Sequence, residues 1–396
     1  MTEEIIRVAA RGDGVTASGM HVPLAAPGDV LENGQIVRRG ASYQRPPCKH
    51  FPQCGGCQLQ HLTDAAFGAY CVDRVEDVLQ FHGVEGKVLP PHVSPPRSRR
   101  RTSLKALKAG GRVLLGFNEE RSHKVVDLSE CHVLHPELFS ILQPLRTLLA
   151  TMLSKGRMAQ VQMTLADQGI DLLLTGVEAD GLDAIEGMTD FAMSQKLARL
   201  TLDEGYGAEP RWAPEPVTVT LSGVPVELPP GAFLQATDDG EAALVRAVHE
   251  AVGEEGGPML DLFAGLGTFA LAFEKRQVTA AEAGRDAILA LGLAAKRAGR
   301  SVTAAHRDLY RNPFRVEELG AFEAVVLDPP RSGAAAQCEQ LAKSEIATIA
   351  YVSCNPSTFA KDAKALVDGG YALDWVRPVG QFRWSTHVEL AARFSR

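Results

Sequence analysis

Short apolar runs alternate with helical segments through the last third of the chain. Each run has four to seven residues and is rich in small or β-branched side chains, as buried strands are. Strands that alternate with helices predict a parallel sheet with crossovers. Only a loop separates the last two runs, so we expect a hairpin whose final strand is antiparallel. The seven runs are 259–263, 278–282, 302–305, 324–328, 348–353, 372–376 and 388–394.

Two helices are predicted beside the first of these strands. Asp238 and Glu241 have the spacing of a capping box, so a helix should open at Asp238 and continue to residue 252. The segment FALAFEKR (269–276) predicts a second helix after the strand.

The earlier part of the chain is patterned differently. A helix is predicted over 64–82, and a mostly β region over 88–232 has glycine-rich turns at Gly110-Gly111 and Gln168-Gly169. Apolar helices are expected near 137–154 and 180–195. The chain therefore divides into a small β unit (1–45), a cysteine-rich loop and helix (46–87), a central α+β domain (88–235) and an α/β domain (236–396).

The composition and charge of the chain narrow the class of protein. The chain has 396 residues, 45% of them hydrophobic, and a net charge of −7, as soluble globular proteins do. We find no run of about 18 apolar residues and no secretory signal, so we expect a cytoplasmic protein without a membrane partner. Cysteines in that compartment stay reduced and indicate metal binding or catalysis.

One stretch is strongly basic despite the negative total. Residues 97–124 contain nine Arg and Lys side chains against two Glu. Such a patch can hold a phosphate backbone, because charges farther than about 8–10 Å away are screened. The alternative is a solvated, charged strand face.

The turn after the first strand of the α/β domain has the pattern of a nucleotide site. Asp261-Leu-Phe-Ala-Gly-Leu-Gly-Thr-Phe269 includes Phe263, Gly265 and Gly267, and two glycines let a ligand approach the backbone. Glu282 ends the next strand, where a carboxylate can bind ribose hydroxyls, and Asp308 follows the third strand, where it can accept from an adenine amine. This is neither G-x-G-x-x-G nor a P-loop. It resembles class I S-adenosylmethionine (AdoMet) methyltransferases, although another α/β enzyme can have such a turn.

Two segments at strand ends carry candidate chemistry. Asp328-Pro-Pro-Arg331 lacks the aromatic residue that amine-methylating enzymes of this fold usually have after D-P-P, which leaves a carbon target open. Cys354 follows the fifth strand and precedes a stiff Asn355-Pro356 turn. A thiolate that adds to uracil C6 makes C5 nucleophilic enough to accept a methyl group.

Such a mechanism also needs a base to remove the C5 proton. Glu389 would lie across from Cys354 if the last two strands form the expected hairpin. The alternative is a surface glutamate on an edge strand, and His387 is weighed lower, as a residue that supports the loop.

Four further cysteines form a candidate metal site. Cys48, Cys54 and Cys57 are clustered and Cys131 lies far downstream. Four thiolates suit either a [4Fe–4S] cluster or zinc, and a zinc site usually has two C-x2–4-C pairs where this chain has one.

Together these segments resemble the bacterial RNA uracil-C5 methyltransferases of the RumA/RlmD type, which act on 23S ribosomal RNA. The resemblance covers about 46–396 and rests on CKHFPQCGGCQLQHL, RRRTSLKA, GAFLQ (231–235), LDLFAGLGTF, LDPPRSGA, YVSCNPSTF and HVEL. It implies a class I, Rossmann-like, seven-stranded domain and a small N-terminal TRAM-like β unit, shorter and less basic here than is usual.

The resemblance also implies residue roles. Cys354 is the nucleophile and Glu389 the base, while Asp328 lies between AdoMet and the uracil. Gln235, Glu282 and Asp308 contact AdoMet, and Cys48, Cys54, Cys57 and Cys131 ligate a [4Fe–4S] cluster. Relatives that act on tRNA generally lack the cluster, which favours 23S rRNA.

The expected partner is therefore an RNA loop with an unpaired uridine, and no DNA. The alternatives are a tRNA uracil-C5 methyltransferase, an RNA cytosine-C5 methyltransferase, and a non-catalytic RNA-binding or redox-sensing protein that keeps the fold.

Overall fold

The N-terminal segment forms a sheet of its own in the computed structural model, which describes residues 2–179 and 181–396. Within residues 2–38 five antiparallel strands pair in the order β3-β2-β1-β4-β5. Their apolar side chains pack together and against the helix α1, whose first turn is capped by Thr63. These elements are β1 (Thr2–Val8), β2 (Gly14–Thr16), β3 (His21–Val22), β4 (Val30–Glu32), β5 (Gln35–Arg38) and α1 (Asp64–Phe81), followed by two-residue strands β6 (Lys87–Val88) and β7 (His92–Val93).

A second sheet forms the central domain. Gly110 and Gly111 both have positive φ, 56° and 82°, and close the predicted hairpin between its first two strands. The helices of this domain cover one face of the sheet, and their leucines form a core with it. Residue 180, at the start of the helix predicted near 180–195, lies outside the described residues. The elements are β8 (Arg101–Ala109), β9 (Arg112–Gly116), α2 (Pro136–Ser140), α3 (Leu142–Met152), β10 (Met158–Ala166), β11 (Gly169–Thr175), α4 (Leu182–Ser194), β12 (Arg199–Asp203) and β13 (Ala208–Trp212), in the sheet order β13-β12-β11-β10-β8-β9.

The C-terminal domain contains the parallel sheet that the sequence predicts. A hairpin, β14 (Thr218–Leu221) and β15 (Val224–Glu227), leads into helix α5 (Asp238–Val252) and then into the sheet. The last two strands form the expected hairpin, and the final one is antiparallel to its neighbour, with Ser353 opposite Leu390. The elements are β16 (Met259–Leu262), β17 (Val278–Glu282), α6 (Arg285–Arg297), β18 (Val302–His306), α7 (Val316–Leu319), β19 (Ala324–Leu327), α8 (Ala335–Leu341), β20 (Thr348–Ser353), α9 (Pro356–Asp368), β21 (Ala372–Gly380) and β22 (Glu389–Ser395).

This sheet is wider than predicted. Nine of the strands among the described residues belong to it, in the order β18-β17-β16-β19-β20-β22-β21-β6, with β7 also on β21. The two additional strands pair in parallel with the edge of β21, so they cover an edge that would otherwise expose unpaired backbone groups. At two residues each they are too short to carry a periodic signal, which is why the prediction of seven strands was incomplete.

Two predictions about helices were wrong in detail. The segment 269–276 is not a helix: only Ala270–Ala272 forms a short 3₁₀ turn. Phe269, Leu271 and Phe273 are all buried, so the start of the segment folds as a tight turn into the core. Helix α5 is capped by Thr237, whose hydroxyl accepts from the Gly240 N–H at 3.1 Å, and not by Asp238.

The carboxylates of the expected capping box pair with an arginine of the central domain instead. Arg100 is buried, and its guanidinium donates to Glu241 at 2.7 Å and to Asp238. Its Nε also donates to the carbonyl of Gln235 at 3.1 Å. Arg100 thus joins the strand entry of β8 to the start of α5 and fixes the two domains at their junction. No helix in the described part of the chain is long and apolar enough to span a membrane.

The Arg199–Asp171 pair under the central sheet generates a stability prediction. Both side chains are buried, bidentate contacts of 2.8 Å join them, and Arg199 also donates to the Leu228 carbonyl. Removal of one partner leaves the other charge buried alone, so Arg199→Met should lower the free energy of unfolding by about 3–5 kcal/mol. Urea denaturation followed by circular dichroism measures this. The double variant Arg199→Met/Asp171→Leu should recover most of the loss; equal stabilities of the single and double variants would contradict the assignment.

Candidate active site

Three predicted site residues meet at the edge where the parallel strands end. Asp328 follows β19, Cys354 follows β20, and Glu389 begins β22. Because Ser353 lies opposite Leu390, the antiparallel register puts Glu389 beside Cys354. The charges of Glu389 and Asp328 both raise the pKa of Cys354, which reflects how close the three groups are.

Cys354 is half-buried at the wall of a cavity of about 250 Å³. Burial, and then the two carboxylates, raise the pKa of its thiol to about 11, while Arg331 acts in the opposite direction. The next residue, Asn355, caps α9 and donates from Nδ2 to the Arg331 carbonyl at 3.0 Å. The turn is therefore fixed, and the thiol faces the cavity beside a guanidinium.

Glu389 is 2% exposed. Burial, followed by repulsion from Asp328, raises the pKa of Glu389 to about 8. His387 lies on the same loop, but its ring accepts from Arg331 at 2.6 Å, and burial lowers its pKa. Of the two, Glu389 has a pKa suited to proton transfer near neutral pH.

Two buried amides connect these carboxyl groups. Gln381 follows β21, and its Nε2 donates both to Glu389 and to Gln235 Oε1, the latter at 2.7 Å. Gln235 Nε2 in turn lies 3.4 Å from Asp328 Oδ2. The sequence-predicted Gln235 therefore reaches the reacting edge through a residue, Gln381, that no motif in the sequence indicates.

The glycine turn after β16 has the conformation of a ligand-binding loop. Phe263 has φ 64°, a strained value for a non-glycine residue, as functional turns often have. Gly267 is required by packing, since a Cβ there would lie 2.3 Å from Leu291 Cδ1. A Cβ on Gly265 would meet nothing within 4 Å in the described structure, so this glycine faces open space.

The two predicted acidic cofactor contacts lie beside this turn. Glu282 accepts from the Gly265 N–H at 3.0 Å and from the Gly284 N–H at 2.6 Å. Asp308 accepts from the N–H of Tyr310 at 3.0 Å, and the Tyr310 ring packs against Phe263. The carboxylates are held by the backbone at the rim of the open space before Gly265.

The four predicted cysteine ligands line one small cavity, together with Phe51, Phe117 and other apolar walls. Burial raises the pKa of all four thiols, to about 11 for Cys54 and about 12 for Cys57, and repulsion from neighbouring thiols adds to the rise for Cys48, Cys54 and Cys57. Over the described residues, no three His, Cys, Asp or Glu side chains are arranged to hold a single metal ion. The thiols thus converge, but not with the spacing of a one-ion site.

The sequence analysis treats the basic stretch 97–124 as one patch, but in the structure its cations do not form one surface. Arg100 points inward to its two carboxylates, and Arg99 is half-buried between the rings of Phe117 and Phe382. Arg101 lies over the ring of the exposed Phe233 and close enough to Glu389 to influence it. Exposed cations remain, at Arg97, Arg112, Arg121 and Lys124.

Known proteins are similar in sequence to this chain. The family model of the tRNA (uracil-5-)-methyltransferases matches residues 224–396. An uncharacterized RNA methyltransferase of Zymomonas mobilis is 48% identical over the full length of both chains. The 23S rRNA (uracil(1939)-C(5))-methyltransferase RlmD of Halomonas elongata is 32% identical, over 91% of this chain and 78% of that protein.

The chain belongs to the RNA uracil-C5 methyltransferase family. Within it, the tRNA (uracil-54, C5)-methyltransferase of Pyrococcus abyssi, solved in complex with S-adenosyl-L-homocysteine, matches the whole chain with a TM-score of 0.74 and 24% identity. This likeness confirms the predicted fold class, a class I methyltransferase α/β domain joined to a mixed central domain and a small N-terminal β unit.

The buried Glu389 of this family member generates a stability prediction. Its folded-state pKa lies above the ordinary value, so the stability that its protonated form contributes is lost as pH rises toward about 8. Glu389→Gln keeps the acceptor for Gln381 and does not titrate. We expect the variant to be more stable than wild type, by an amount that grows from pH 5 to pH 8 and reaches a few kcal/mol. Thermal unfolding across this range measures it, with exposed Glu186→Gln as the control; identical pH dependence of Glu389→Gln and wild type would contradict it.

Proposed function

We propose that this protein methylates C5 of uridine in RNA, with AdoMet as methyl donor and 23S rRNA in the cytoplasm as substrate. The observation that carries the proposal is the meeting of Cys354 and Glu389 at one sheet edge, beside Asp328. A nucleophilic thiol and a carboxyl with a pKa near neutrality are the two groups that methylation of a uracil carbon requires.

The residues act in sequence. The Cys354 thiol first releases its proton to solvent, and the resulting thiolate forms a bond to uracil C6, which makes C5 a nucleophile. AdoMet supplies the methyl group and leaves as S-adenosylhomocysteine. The Glu389 carboxylate then takes the C5 proton, the C5–C6 double bond re-forms, and the S–C6 bond breaks to release Cys354. Glu389 returns its proton to solvent and the Cys354 thiolate takes one up, which restores both groups.

For AdoMet we assign the turn and rim residues of the open space. Phe263, Gly265 and Gly267 form its wall, and Glu282 and Asp308 supply acceptors for the ribose and adenine. Gln235 and Asp328 lie at the inner end, between the cofactor and Cys354. The room before Gly265 supports this assignment, because a ligand can approach the backbone closely there.

We further assign Cys48, Cys54, Cys57 and Cys131 to a [4Fe–4S] cluster. Four thiols on one cavity, three of them buried, supply the ligand number of a [4Fe–4S] cluster, and the chain has only one of the two C-x2–4-C pairs that zinc sites usually have. The half-buried guanidinium of Arg99 is near Cys57 and Cys131, where it would offset ligand charge. The cluster takes no part in the methyl transfer.

The substrate assignment rests on the cysteines and on the relative that is named for 23S rRNA. In this proposal the domains have separate tasks: 1–45 is a shortened TRAM-like unit, 46–87 holds the cluster loop, 88–235 binds RNA, and 236–396 performs the transfer. Exposed Phe233, with Arg101 over its ring, offers a stacking surface at the mouth of the site.

Loss of the gene should remove 5-methyluridine from one or more positions of 23S rRNA, as measured by mass spectrometry of digested rRNA. Wild-type protein should restore the modification, while Cys354→Ala should not, with activity lower by about 10³-fold or more. RNA that contains 5-fluorouridine should trap wild type covalently, because Glu389 cannot remove fluorine. Cys338→Ala, a change in the core, is the control. Loss of 5-methyluridine from tRNA instead would overturn the assignment of 23S rRNA as substrate. Loss of 5-methylcytidine would overturn the assignment of uracil as the methylated base.

Protein purified without oxygen should be brown, with absorbance near ~400 nm and roughly four irons per chain. Cys57→Ser should remove the colour, since it lacks one of the four thiolates. Cys71→Ser is the matched control, because Cys71 is a buried cysteine of α1 that packs with Phe67 and Tyr70. A colourless protein with one bound zinc would contradict the cluster assignment.

A further inference from the structure

Gln381 is buried where three parts of the active site meet. It is 2% exposed and follows directly after β21. Its neighbours belong to the base strand β22, to the segment before α5, and to the first turn of α5 itself. No part of the reaction described above uses it.

The orientation of the Gln381 amide is fixed by its contacts. Its Oε1 accepts from the Ala236 backbone N–H at 2.9 Å. That contact leaves Nε2 to point the other way, where one N–H donates to Glu389 Oε2 and the other to Gln235 Oε1. A backbone donor thus determines which end of the side chain faces the carboxylate.

This arrangement also orients Gln235. Because Gln235 Oε1 accepts from Gln381, its own Nε2 must face Asp328, 3.4 Å away. Gln381 therefore determines both which Glu389 oxygen accepts a hydrogen bond and which end of the Gln235 amide faces Asp328.

The helix that packs against Gln381 is shaped to admit it. A Cβ on Gly240 would lie 2.7 Å from the Gln381 Cβ and 2.6 Å from Thr237 Oγ1. Glycine is unfavourable inside a helix, but here its missing side chain leaves room for the buried amide.

We propose that Gln381 is the positioning residue for the general base: it holds Glu389 against the uracil C5 proton and keeps Gln235 turned toward Asp328. The inference rests on the proposed function. The groups that act electrostatically on Glu389 are Asp328 after β19, Arg101 on β8 and Arg331 after Asp328, with the Cys354 thiol beside it. Gln381 differs from all of them because it is neutral and acts on Glu389 through a directional hydrogen bond.

The role predicts a specific kinetic defect. Proton removal depends on the position of Glu389, whereas attack by Cys354 and methyl transfer do not. Without Gln381 the second half of the reaction should slow while the first half continues, so a methylated RNA that is still bonded to Cys354 should accumulate. The hydrogen bond from Gln381 also lowers the pKa of Glu389, so its loss should move the pH dependence of proton release to higher pH.

The test is a single-turnover reaction with 23S rRNA from a strain that lacks the gene, labelled with [5-³H]uridine, and with ¹⁴C-methyl AdoMet. In wild type, methyl incorporation and tritium release should proceed together. In Gln381→Met, which keeps the length but not the hydrogen bonds, tritium release should slow roughly 10–100-fold, as expected of a displaced catalytic group. Methyl incorporation should slow clearly less than tritium release, because on the cofactor side only the orienting bond to Gln235 is lost. RNA affinity should change less than about 3-fold, and a covalent RNA–protein band should appear on a denaturing gel.

Two further variants separate positioning from general damage. Gln337→Met removes another buried glutamine, which lies in α8 away from the site and bonds the Phe314 backbone. It should lower stability without separating methyl incorporation from tritium release. In a Glu389→Gln background, Gln381→Met should add no further delay in tritium release, because it acts through the lost carboxylate.

The outcomes are distinct. Equal slowing of methyl incorporation and tritium release in Gln381→Met, or an unchanged pH limb, would overturn the positioning role and leave the proposed function intact. A wild-type protein that neither incorporates methyl nor releases tritium would overturn the proposed function, and this inference with it.

Discussion

The candidate active site is organised around buried carboxyl groups whose negative charge is not balanced by directly paired cations. Asp261, Asp328 and Glu389 converge under the carboxyl end of the parallel sheet, and burial raises the pKa of each. Burial of ionised groups is costly unless they are paired or hydrogen-bonded. Here the compensation for Asp328 and Glu389 comes mainly from two neutral amides, Gln235 and Gln381, with guanidinium groups farther away. Neutral partners leave the carboxyl groups able to exchange protons, which a tight ion pair would prevent.

This constraint explains why the site lies at a domain junction. Gln235 belongs to the segment between the β14–β15 hairpin and α5, and its carbonyl accepts from Arg100 at the entry of β8. Arg100 in turn pairs with Asp238 and Glu241 on α5. The central domain therefore fixes one end of the amide pair and the methyltransferase sheet fixes the other. Relative movement of the two domains would separate Gln235 from Gln381, so the junction must be rigid for the carboxyl groups to stay compensated.

What the sequence predicts well is what depends on local pattern. Seven of the nine described strands of this sheet are marked by apolar runs, and candidate catalytic groups lie at strand ends, so the meeting of Cys354 and Glu389 was predicted from strand order and one hairpin. Gln381 and the inward turn of Arg100 depend on contacts between residues 140 or more positions apart, which no local pattern encodes. The capping box illustrates the difference: the spacing of Asp238 and Glu241 fits a local cap, but a buried arginine binds both carboxylates and Thr237 caps the helix.

The start of β8 links the cysteine cavity to the sheet edge that carries Cys354 and Glu389. Arg99 lies near Cys57 and Cys131, and its Nε donates to the carbonyl of Arg101 at 2.9 Å. Its backbone N–H bonds to Val133, two residues beyond Cys131, so the downstream cysteine segment is fastened to the same residue. Arg101 then faces Glu389 and the exposed Phe233. A group that ties the four cysteines together would thereby fix the position of Arg101 at the mouth of the site without entering the reaction. Under the proposed function, Cys48, Cys54, Cys57 and Cys131 would serve the geometry of the RNA-facing surface, and Cys354 would serve the chemistry at the sheet edge.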